Sequence, residues 1–167
     1  PHRIEIVEHS HAALAHAYEA GASRLPFAVL RGYVGTDFAA VNPEIRSVTC
    51  PFTGEELAAV PAINPDITFI HALKADRAGN VLIEGITGVQ KEAVLAAGKA
   101  VVTVEETVDS LDPHPNALVL PHWVVTAIAE VPGGAHPSYA HGYYPRDNAA
   151  YKAWDAIAAD RTKFLDW

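Results

Sequence analysis

A nearly continuous apolar run, AVVTV, extends from Ala100 to Val104. Such a run is typical of a strand that is buried on both faces, which occurs where helices cover both sides of a sheet. It is far too short to cross a bilayer, since a membrane-spanning helix takes about 20 apolar residues. The run therefore predicts a layered core built around one buried strand, and the sequence predicts no membrane span.

Strand-like and helix-like patterns alternate along the rest of the chain. The predicted helices are residues 10–23, with Ser10 as N-cap, 88–97 and 148–164. The other predicted strands are residues 3–7, 25–30, 44–49, 56–59, 66–73, 81–84, 118–120 and 124–131. We expect one α/β domain over residues 1–167, with an open, largely parallel twisted sheet and flanking helices. The strands on either side of Gly79 and Asn80 add one antiparallel hairpin.

The charge and the cysteine content limit the partners and the compartment. A formal net charge of -8 argues against a nucleic-acid partner, because phosphate binding needs clustered Lys and Arg. The single cysteine, Cys50, forms neither an internal disulfide nor a cysteine zinc cluster, and no secretory signal opens the chain. We therefore expect a cytoplasmic protein that binds small molecules or other proteins. Because the chain contains no Met and starts on Pro1, we also expect it to be part of a longer protein.

The histidines and the common catalytic motifs point to no familiar chemistry. His9 and His11 are two residues apart, which is not a zinc-ligand spacing on a helix, so no metal site is predicted. His71 and His122 are interpreted as hydrogen-bonded structural histidines. The sequence has no G-x-S-x-G elbow, no P-loop and no G-x-G-x-x-G after a strand. Serine hydrolases, P-loop enzymes and nucleotide-binding Rossmann domains are disfavoured.

Two carboxylates follow the buried apolar run directly. Glu105 and Glu106 are placed at the carboxyl edge of its strand, where parallel sheets position active sites. Neighbouring strand residues point to opposite faces, so at most one of the two faces a cleft. A polar strand end is the preferred interpretation, with a catalytic carboxylate as the alternative.

Two loops rich in Gly and Pro resemble parts of a binding site. In PFTGEE, residues 51–56, Thr53 offers a hydroxyl and Gly54 an approachable backbone N–H, the donors that a carboxylate or acyl oxygen needs. The other loop is VPGGAHPSYAHGYYPRD, residues 131–147, which is predicted to be neither helix nor plain strand. A long loop with this many aromatic and hydrogen-bonding side chains is more often functional than disordered.

The order of four segments carries a family resemblance. They are RLPFAVLRGYVGTD, CPFTGEELAAVPAINPDITFIHALKADRAGNVLIEG, GVQKEAVLAAGKAVVTVEETVD and VPGGAHPS, at residues 24–37, 50–85, 88–109 and 131–138. Together they resemble the α subunit of family I CoA-transferases, in particular that of the glutaconate CoA-transferase type. The resemblance covers nearly the whole chain as a C-terminal portion, since such subunits carry a longer N-terminal region with a Gly-rich strand-turn-helix that is missing here.

The resemblance implies a two-subunit enzyme that moves CoA from an acyl-CoA to a carboxylic acid. A glutamate of the β subunit forms a glutamyl-CoA thioester, so this chain carries no catalytic nucleophile and the β subunit is its partner. Coenzyme A is then a substrate, and no tightly bound cofactor or metal is expected. The α chain shapes the acyl and carboxylate pocket, and the substrate-binding candidates are Thr53, Gly54, Gln90, His136, Ser138 and Arg31. In the second loop, Gly133 and Gly134 would present His136, with residues 139–144 sealing the cleft or contacting the partner.

Two other functions remain open. Some relatives with this subunit plan are hydrolases that act on ring-derived acyl-CoA esters, and they place a glutamate near the start of the helix that begins here around Ser10. This sequence has His11 at about that position, which favours a transferase. A chain with this fold could also be a non-catalytic acyl-CoA-binding module, because fold does not determine function.

Overall fold

The computed structural model describes residues 6–167. Two compact units are present: one extends to Thr68 and takes in Gly88–Ala100, and the other comprises Phe69–Thr87 and Val101–Trp167. A single domain over the whole chain stays a prediction. The predicted strand at residues 3–7 begins outside the described residues, and Ile6 and Val7 are not in a strand.

The first unit packs helices against a small sheet. It contains α1 (His11–Ala22), β1 (Phe27–Leu30), α2 (Phe38–Val41), β2 (Arg46–Thr49), β3 (Glu56–Pro61) and α3 (Gln90–Ala96). The strand order is β1-β3-β2, and both pairings are antiparallel. A core cluster joins α1 to this sheet through Ala13, Ala17, Tyr33, Ile45, Ala58 and Val60. The small side chains of α1 let its backbone lie close to Ile63, whose N–H donates to the Ala17 carbonyl at 3.0 Å.

Helix α1 starts where its capping residue predicts. The Ser10 side chain accepts a hydrogen bond from the Ala13 N–H at 3.2 Å, and the Ser10 backbone is extended, as in an N-cap. The buried face of α1 is formed by Ala13, Ala17, Ala20 and Gly21, whereas Leu14 is 38% exposed.

Replacing Ser10 by Ala should lower the free energy of unfolding by about 1 kcal/mol, because one N–H of the first turn loses its acceptor. Urea denaturation measures the change. Ser23→Ala is the matched control, because Ser23 caps the other end of α1 through its backbone and should have little effect. Equal losses in the two variants would contradict the capping role of Ser10.

The second unit is built around a five-stranded sheet. Its strands are β4 (Ile67–Asp76), β5 (Val81–Ile83), β6 (Lys99–Val108), β7 (Leu118–Leu120) and β8 (Ala127–Glu130), in the order β7-β5-β4-β6-β8. A 3₁₀ turn, His122–Val124, precedes β8, and α4 (Asn148–Ala158) and α5 (Arg161–Asp166) close the chain. Strand β6 contains the AVVTV run: Ala100, Val102 and Val104 are fully buried, whereas Val101 and Thr103 are half-buried.

The α/β class, the open sheets, the flanking helices and the β4–β5 hairpin are confirmed. The largely parallel sheet is a wrong prediction: of the pairings described, β6–β8 is parallel and β1–β3, β2–β3, β4–β5 and β5–β7 are antiparallel. For β2–β3 and β4–β5 the reason lies in the connections. A parallel crossover needs a dozen or more residues, and residues 50–55 and 77–80 are too short to make one.

Strand β1 is half-exposed, with Phe27 and Val29 more than 40% exposed. Two further predictions need correction. The closing helix is two helices, because Asp160 accepts hydrogen bonds from the N–H groups of Thr162 and Lys163 and so starts α5. Strand β6 continues to Val108, so Glu105 and Glu106 lie inside it and not at its end. Among residues 6–167, no helix is long and apolar enough to cross a membrane.

Candidate functional site

A buried carboxylate, Glu105, lies at the centre of the second unit. Its side chain is 3% exposed and accepts three hydrogen bonds. They come from the Tyr144 hydroxyl at 2.5 Å, the His71 Nε2–H at 2.6 Å and the backbone N–H of Gly133 at 2.7 Å. A buried carboxylate is tolerated only when it is paired and hydrogen-bonded, and this one meets that condition.

His71 extends the network to the neighbouring part of β6. When Nε2–H donates to Glu105, Nδ1 of the neutral ring is an acceptor, and the Thr103 hydroxyl donates to it across 2.8 Å. In the imidazolium form, Nδ1–H would donate to Thr103, whose hydroxyl could then turn to the Ile70 carbonyl at 3.4 Å. The interpretation of His71 as a hydrogen-bonded structural histidine agrees with these contacts.

The network keeps Glu105 ionised. Burial by itself would raise the pKa of Glu105, but the hydrogen bonds from Tyr144, Gly133 and His71 together lower it below its ordinary value. Burial and the Glu105 carboxylate both raise the pKa of Tyr144, so its phenol stays protonated and donates. The stable arrangement is therefore a carboxylate surrounded by donors.

Glu106, the next residue of β6, makes a second contact to the same loop at the surface. The Tyr143 hydroxyl donates to it at 2.9 Å, and the Lys74 ammonium lies 3.1 Å from the same oxygen. Hydrogen bonds from Lys74 and then Tyr143 lower the pKa of Glu106, and burial together with Glu106 raises the pKa of Tyr143 to about 12. The two adjacent glutamates of β6 thus accept hydrogen bonds from two adjacent tyrosines of the loop.

The loop of residues 131–147 is held on the sheet by these bonds. The Gly133 N–H donates to Glu105, and Gly133 has a φ of +80°, a backbone conformation that residues other than Gly rarely adopt. Gly134 lies so close to His71 that an added Cβ would be 2.7 Å from the ring carbon Cε1. As predicted, the loop is a series of turns with one isolated bridge, Ala140 to Tyr144. Residues 139–146 line an open cavity with a volume of about 470 Å³.

The two candidate residues in this loop lie between its anchors. His136 is exposed, and its Nε2 is 3.2 Å from Oδ2 of Asp147, the residue that caps α4. Ser138 is half-buried, and its backbone N–H donates to the Ala135 carbonyl at 2.8 Å. The exposed imidazole of His136 is therefore fixed at the loop surface by a carboxylate.

The other candidates belong to the first unit, where three of them lie in or against the turn of residues 50–55. Arg31 makes a bidentate ion pair with Glu55, with Nε donating to Oε1 at 2.7 Å and Nη2 donating to Oε2 at 2.9 Å. The Gly54 N–H donates to the Cys50 carbonyl at 2.9 Å, and a hydrogen bond from the Thr53 side chain is the main cause of a lowered pKa of the Cys50 thiol. The donors expected of Thr53, Gly54 and Arg31 are thus engaged within the unit.

Gln90 starts α3, and its Oε1 atom is buried with no hydrogen-bond partner among residues 6–167. Oxygen and nitrogen of an amide exchange places on a 180° flip, so this position can present a donor or an acceptor. A buried amide atom without a partner is costly, and a bound ligand would satisfy it.

Arg31 also lies at the wall of an open groove of about 540 Å³ in the first unit. The groove is lined by Ser10, Ala12, His16, Val29, Leu30, Arg31, Gly32, Tyr33, Thr36 and Phe38. Its walls are mostly apolar, with one guanidinium at the rim. It is a shape in which an acyl chain with a polar end could lie.

The arrangement contains no free nucleophile at Glu105, because its two oxygens already accept three hydrogen bonds. The described part of the chain, residues 6–167, contains no group of three His, Cys, Asp or Glu side chains placed to hold a metal ion. Sequence reasoning missed the Glu105 network, since its members are separated by up to 73 positions, from His71 to Tyr144. The available signal was the pair of adjacent glutamates on a buried strand and the pair of adjacent tyrosines in the loop.

Known proteins with similar sequences are named as subunits of CoA-transferases or of a hydrolase. The profile of the family described as Coenzyme A transferase matches residues 2–131. A 3-oxoadipate CoA-transferase subunit from Pseudomonas knackmussii is 63% identical over all 167 residues, which make up 59% of that protein. The cholesterol ring-cleaving hydrolase IpdA subunit of Rhodococcus jostii is 34% identical over 141 residues, covering 77% of this chain and 47% of that one.

A solved structure shares the fold at high similarity. The glutaconate coenzyme A-transferase of Acidaminococcus fermentans superposes with a TM-score of 0.83 at 25% identity, over 95% of this chain and 56% of that one. The chain therefore spans about half to three fifths of the length of these relatives. The loop of residues 131–147 starts where the family match ends, but it lies within the stretch shared with the Pseudomonas knackmussii protein.

Proposed function

This chain belongs to the coenzyme A transferase family, and on that basis we propose that it is part of the α subunit of an enzyme that transfers CoA from an acyl-CoA to a carboxylic acid. The observation that carries the proposal is the 63% identity with a 3-oxoadipate CoA-transferase subunit over the full 167 residues. The partner is a β subunit of the same enzyme. A reducing cytoplasm is the proposed compartment, in keeping with the free thiol of Cys50.

The proposed reaction has two thioester stages. A β-subunit glutamate attacks the acyl-CoA carbonyl, releasing the CoA thiolate and forming an acyl anhydride. The thiolate then attacks the glutamyl carbonyl, which frees the first acid and leaves a glutamyl-CoA thioester. The acceptor carboxylate takes the same path in reverse, so that CoA leaves on the acceptor and the glutamate is restored.

The role of this chain is to bind and orient the substrates. The internal bonding of Glu105 supports a nucleophile elsewhere, because a carboxylate with three donors and a lowered pKa is a poor attacking group. His136 and Ser138 are the proposed contacts in the second unit. Gln90, with its unpaired buried amide oxygen, is the best-supported contact in the first unit, and Thr53, Gly54 and Arg31 would have to exchange their present bonds for substrate bonds.

We further propose that the acceptor is a dicarboxylic acid. The support is the named substrates of two relatives, 3-oxoadipate and glutaconate, both of which are dicarboxylates. A second carboxylate needs a cationic or hydrogen-bonding anchor away from the reacting end. The His136 ring, exposed at the loop surface, is one such anchor, and the Arg31 guanidinium at the groove rim is another.

The hydrolase function is the second candidate, and the similarity to the IpdA subunit is the observation in its favour. In that case water would replace the acceptor acid. His11 begins α1 at about the place where the resembling hydrolases carry a glutamate, and this difference favours the transferase. A non-catalytic acyl-CoA-binding module would bind the ester without turning it over.

A CoA-exchange assay distinguishes the three functions. The full-length α chain, co-expressed with its β partner, is given an acyl-CoA donor together with acetate, glutaconate or 3-oxoadipate. Acceptor-dependent formation of a new acyl-CoA is the expected result. CoA release that needs only water would establish the hydrolase, and binding of the donor without turnover would establish the binding module.

His136→Ala in the assembled enzyme should raise the KM for the dicarboxylate acceptor by roughly tenfold, the equivalent of about one hydrogen bond to a charged group. His122→Ala is the matched control, because His122 belongs to the 3₁₀ turn and its hydrogen bonds are made by the backbone, the N–H donating to Asn80 and the carbonyl accepting from Val125. Unchanged turnover and KM in His136→Ala would contradict a binding role for this loop.

A further inference from the structure

Glu105 carries a buried charge for which the proposed chemistry has no covalent use. The residue is only 5% exposed, and its neighbours on the strand, Val102 and Val104, are fully buried apolar residues. A buried charge costs several kcal/mol before it is paired, and apolar replacements of such groups are often as stable. The stability of β6 therefore does not in itself require a carboxylate at this position.

The donors of Glu105 lie on both sides of His136 along the chain. Gly133 precedes His136 and Tyr144 follows it, and the two bonds to one carboxylate, at 2.7 and 2.5 Å, close the segment 133–144 onto β6. The third donor, His71 on β4, holds the carboxylate from the sheet side at 2.6 Å. Glu105 thus connects the two ends of the segment to a fixed point.

Further contacts inside the segment depend on the same anchor. The Tyr144 hydroxyl, while donating to Glu105, accepts from the Ala135 N–H at 3.0 Å, one residue before His136. Gly134 packs against the His71 ring. The backbone on the N-terminal side of His136 is therefore set by groups that Glu105 orients directly.

We propose that Glu105 is a positioning residue of the CoA transfer, which holds segment 133–144 in one conformation and so keeps His136 and Ser138 in place for the substrate. The proposal rests on the proposed function for its catalytic consequence, but its structural part concerns this chain only. Glu105 does not touch the reacting atoms. It acts through Gly133 and Tyr144.

Thr103, His71 and Glu105 are also hydrogen-bonded in the order of a catalytic relay, in which a hydroxyl nucleophile is followed by a histidine and then by a carboxylate. Thr103 is a half-buried side chain in the middle of β6, and its hydroxyl is shared between His71 and the Ile70 carbonyl. A nucleophile needs access to its substrate. The positioning role explains the loop contacts of Glu105, which a relay would leave without a purpose.

The test uses Glu105→Gln in the full-length α chain, in complex with its β partner. Gln keeps the size of Glu but turns one acceptor oxygen into an NH₂ group, which then faces Gly133 or else Tyr144 and His71, all donors. Hydrogen exchange followed by mass spectrometry reports on backbone opening in residues 133–144. Steady-state kinetics gives KM for the acceptor carboxylate and kcat separately.

Two controls separate positioning from general damage. Val104→Ala creates a cavity on the opposite face of the same strand from Glu105, so it lowers stability without touching the side chains that anchor the loop. Glu106→Gln removes the same charge from an exposed carboxylate one residue further along, and the Gln side-chain oxygen can still accept the hydrogen bond from Tyr143. Both should leave the exchange of residues 133–144 and the KM for the acceptor within about twofold of the unmodified enzyme.

Glu105→Gln should speed exchange in residues 133–144 by about tenfold or more and raise the acceptor KM by about tenfold, with a smaller change in kcat. Exchange equal to that of Val104→Ala would overturn the proposal, as would faster exchange with an unchanged KM. A failure of the proposed function looks different, because the unmodified enzyme would then show no CoA exchange while the difference in loop opening between the variants persisted.

Discussion

Tyr144→Phe is expected to lower the free energy of unfolding by about 2 kcal/mol at pH 7, since a buried hydrogen bond to a charged group contributes about that much. The phenol oxygen has two partners, and both lose by the change: Glu105 loses a donor at 2.5 Å and the Ala135 N–H loses an acceptor at 3.0 Å. Urea denaturation of the two proteins, in the same buffer, gives the difference.

The loss in Tyr144→Phe should depend on pH. The folded pKa of Glu105 lies below its ordinary value of 4.5, so its ionised form stabilises the protein above that pH, and this contribution disappears as the pH falls through the folded pKa. Phe at position 144 removes one cause of the lowered pKa, so the variant has less of this stabilisation to lose. The gap between the two proteins should narrow as the pH falls below 4.5.

Tyr143→Phe is the matched control for this prediction. Tyr143 is the neighbouring phenol, but it donates to the half-exposed Glu106, which also pairs with Lys74. Exposed charge contacts are worth about 0 to 1 kcal/mol, so the loss should be less than half of that in Tyr144→Phe. Equal losses at the two positions, or a gap that widens in acid, would contradict the central place of Glu105.

Gly21→Ala is expected to cost about 2 kcal/mol in spite of the better helix propensity of Ala. An added Cβ at Gly21 would lie 2.1 Å from the Ile63 carbonyl oxygen and 3.1 Å from the Ala96 Cβ. The near atom belongs to the backbone, so α1 must move away, and the Ile63 N–H would be pulled from the Ala17 carbonyl that accepts it at 3.0 Å.

Thermal and urea unfolding of Gly21→Ala measure this cost. Gly32→Ala is the control, because an added Cβ there has no described atom within 4 Å and the backbone does not have a positive φ. It should be neutral within about 0.5 kcal/mol. A neutral or stabilising Gly21→Ala would mean that the close contact of α1 with residue 63 is wrong.

The local parts of the fold could be predicted from the sequence because they depend on neighbouring residues. Ser10 starts α1, the Gly79–Asn80 turn joins β4 to β5, and the apolar run at 100–104 forms part of β6. Strand direction was predicted wrongly, since it depends on how strands are connected and not on their composition. Residues 50–55 turn β2 directly into β3, so these two strands are antiparallel.

The candidate site was predictable only in its outline. The loop at 131–147 is a set of turns, as its Gly and Pro content indicates, but what holds it is a carboxylate on a strand distant in sequence. The alternation rule, which lets one of two adjacent glutamates face inward, agrees with the buried Glu105 and the half-exposed Glu106. Pairing Glu105 with Tyr144 required the three-dimensional contacts, because nothing local relates the two residues.

The most direct test of the account is to locate the covalent intermediate. The assembled full-length enzyme is loaded with an acyl-CoA donor, treated with hydroxylamine and digested, and mass spectrometry finds the glutamyl hydroxamate that forms from the thioester. We expect the label on a glutamate of the β subunit, with Glu105 unmodified behind its three hydrogen bonds. A hydroxamate on Glu105, or on any other glutamate of this chain, would contradict the account.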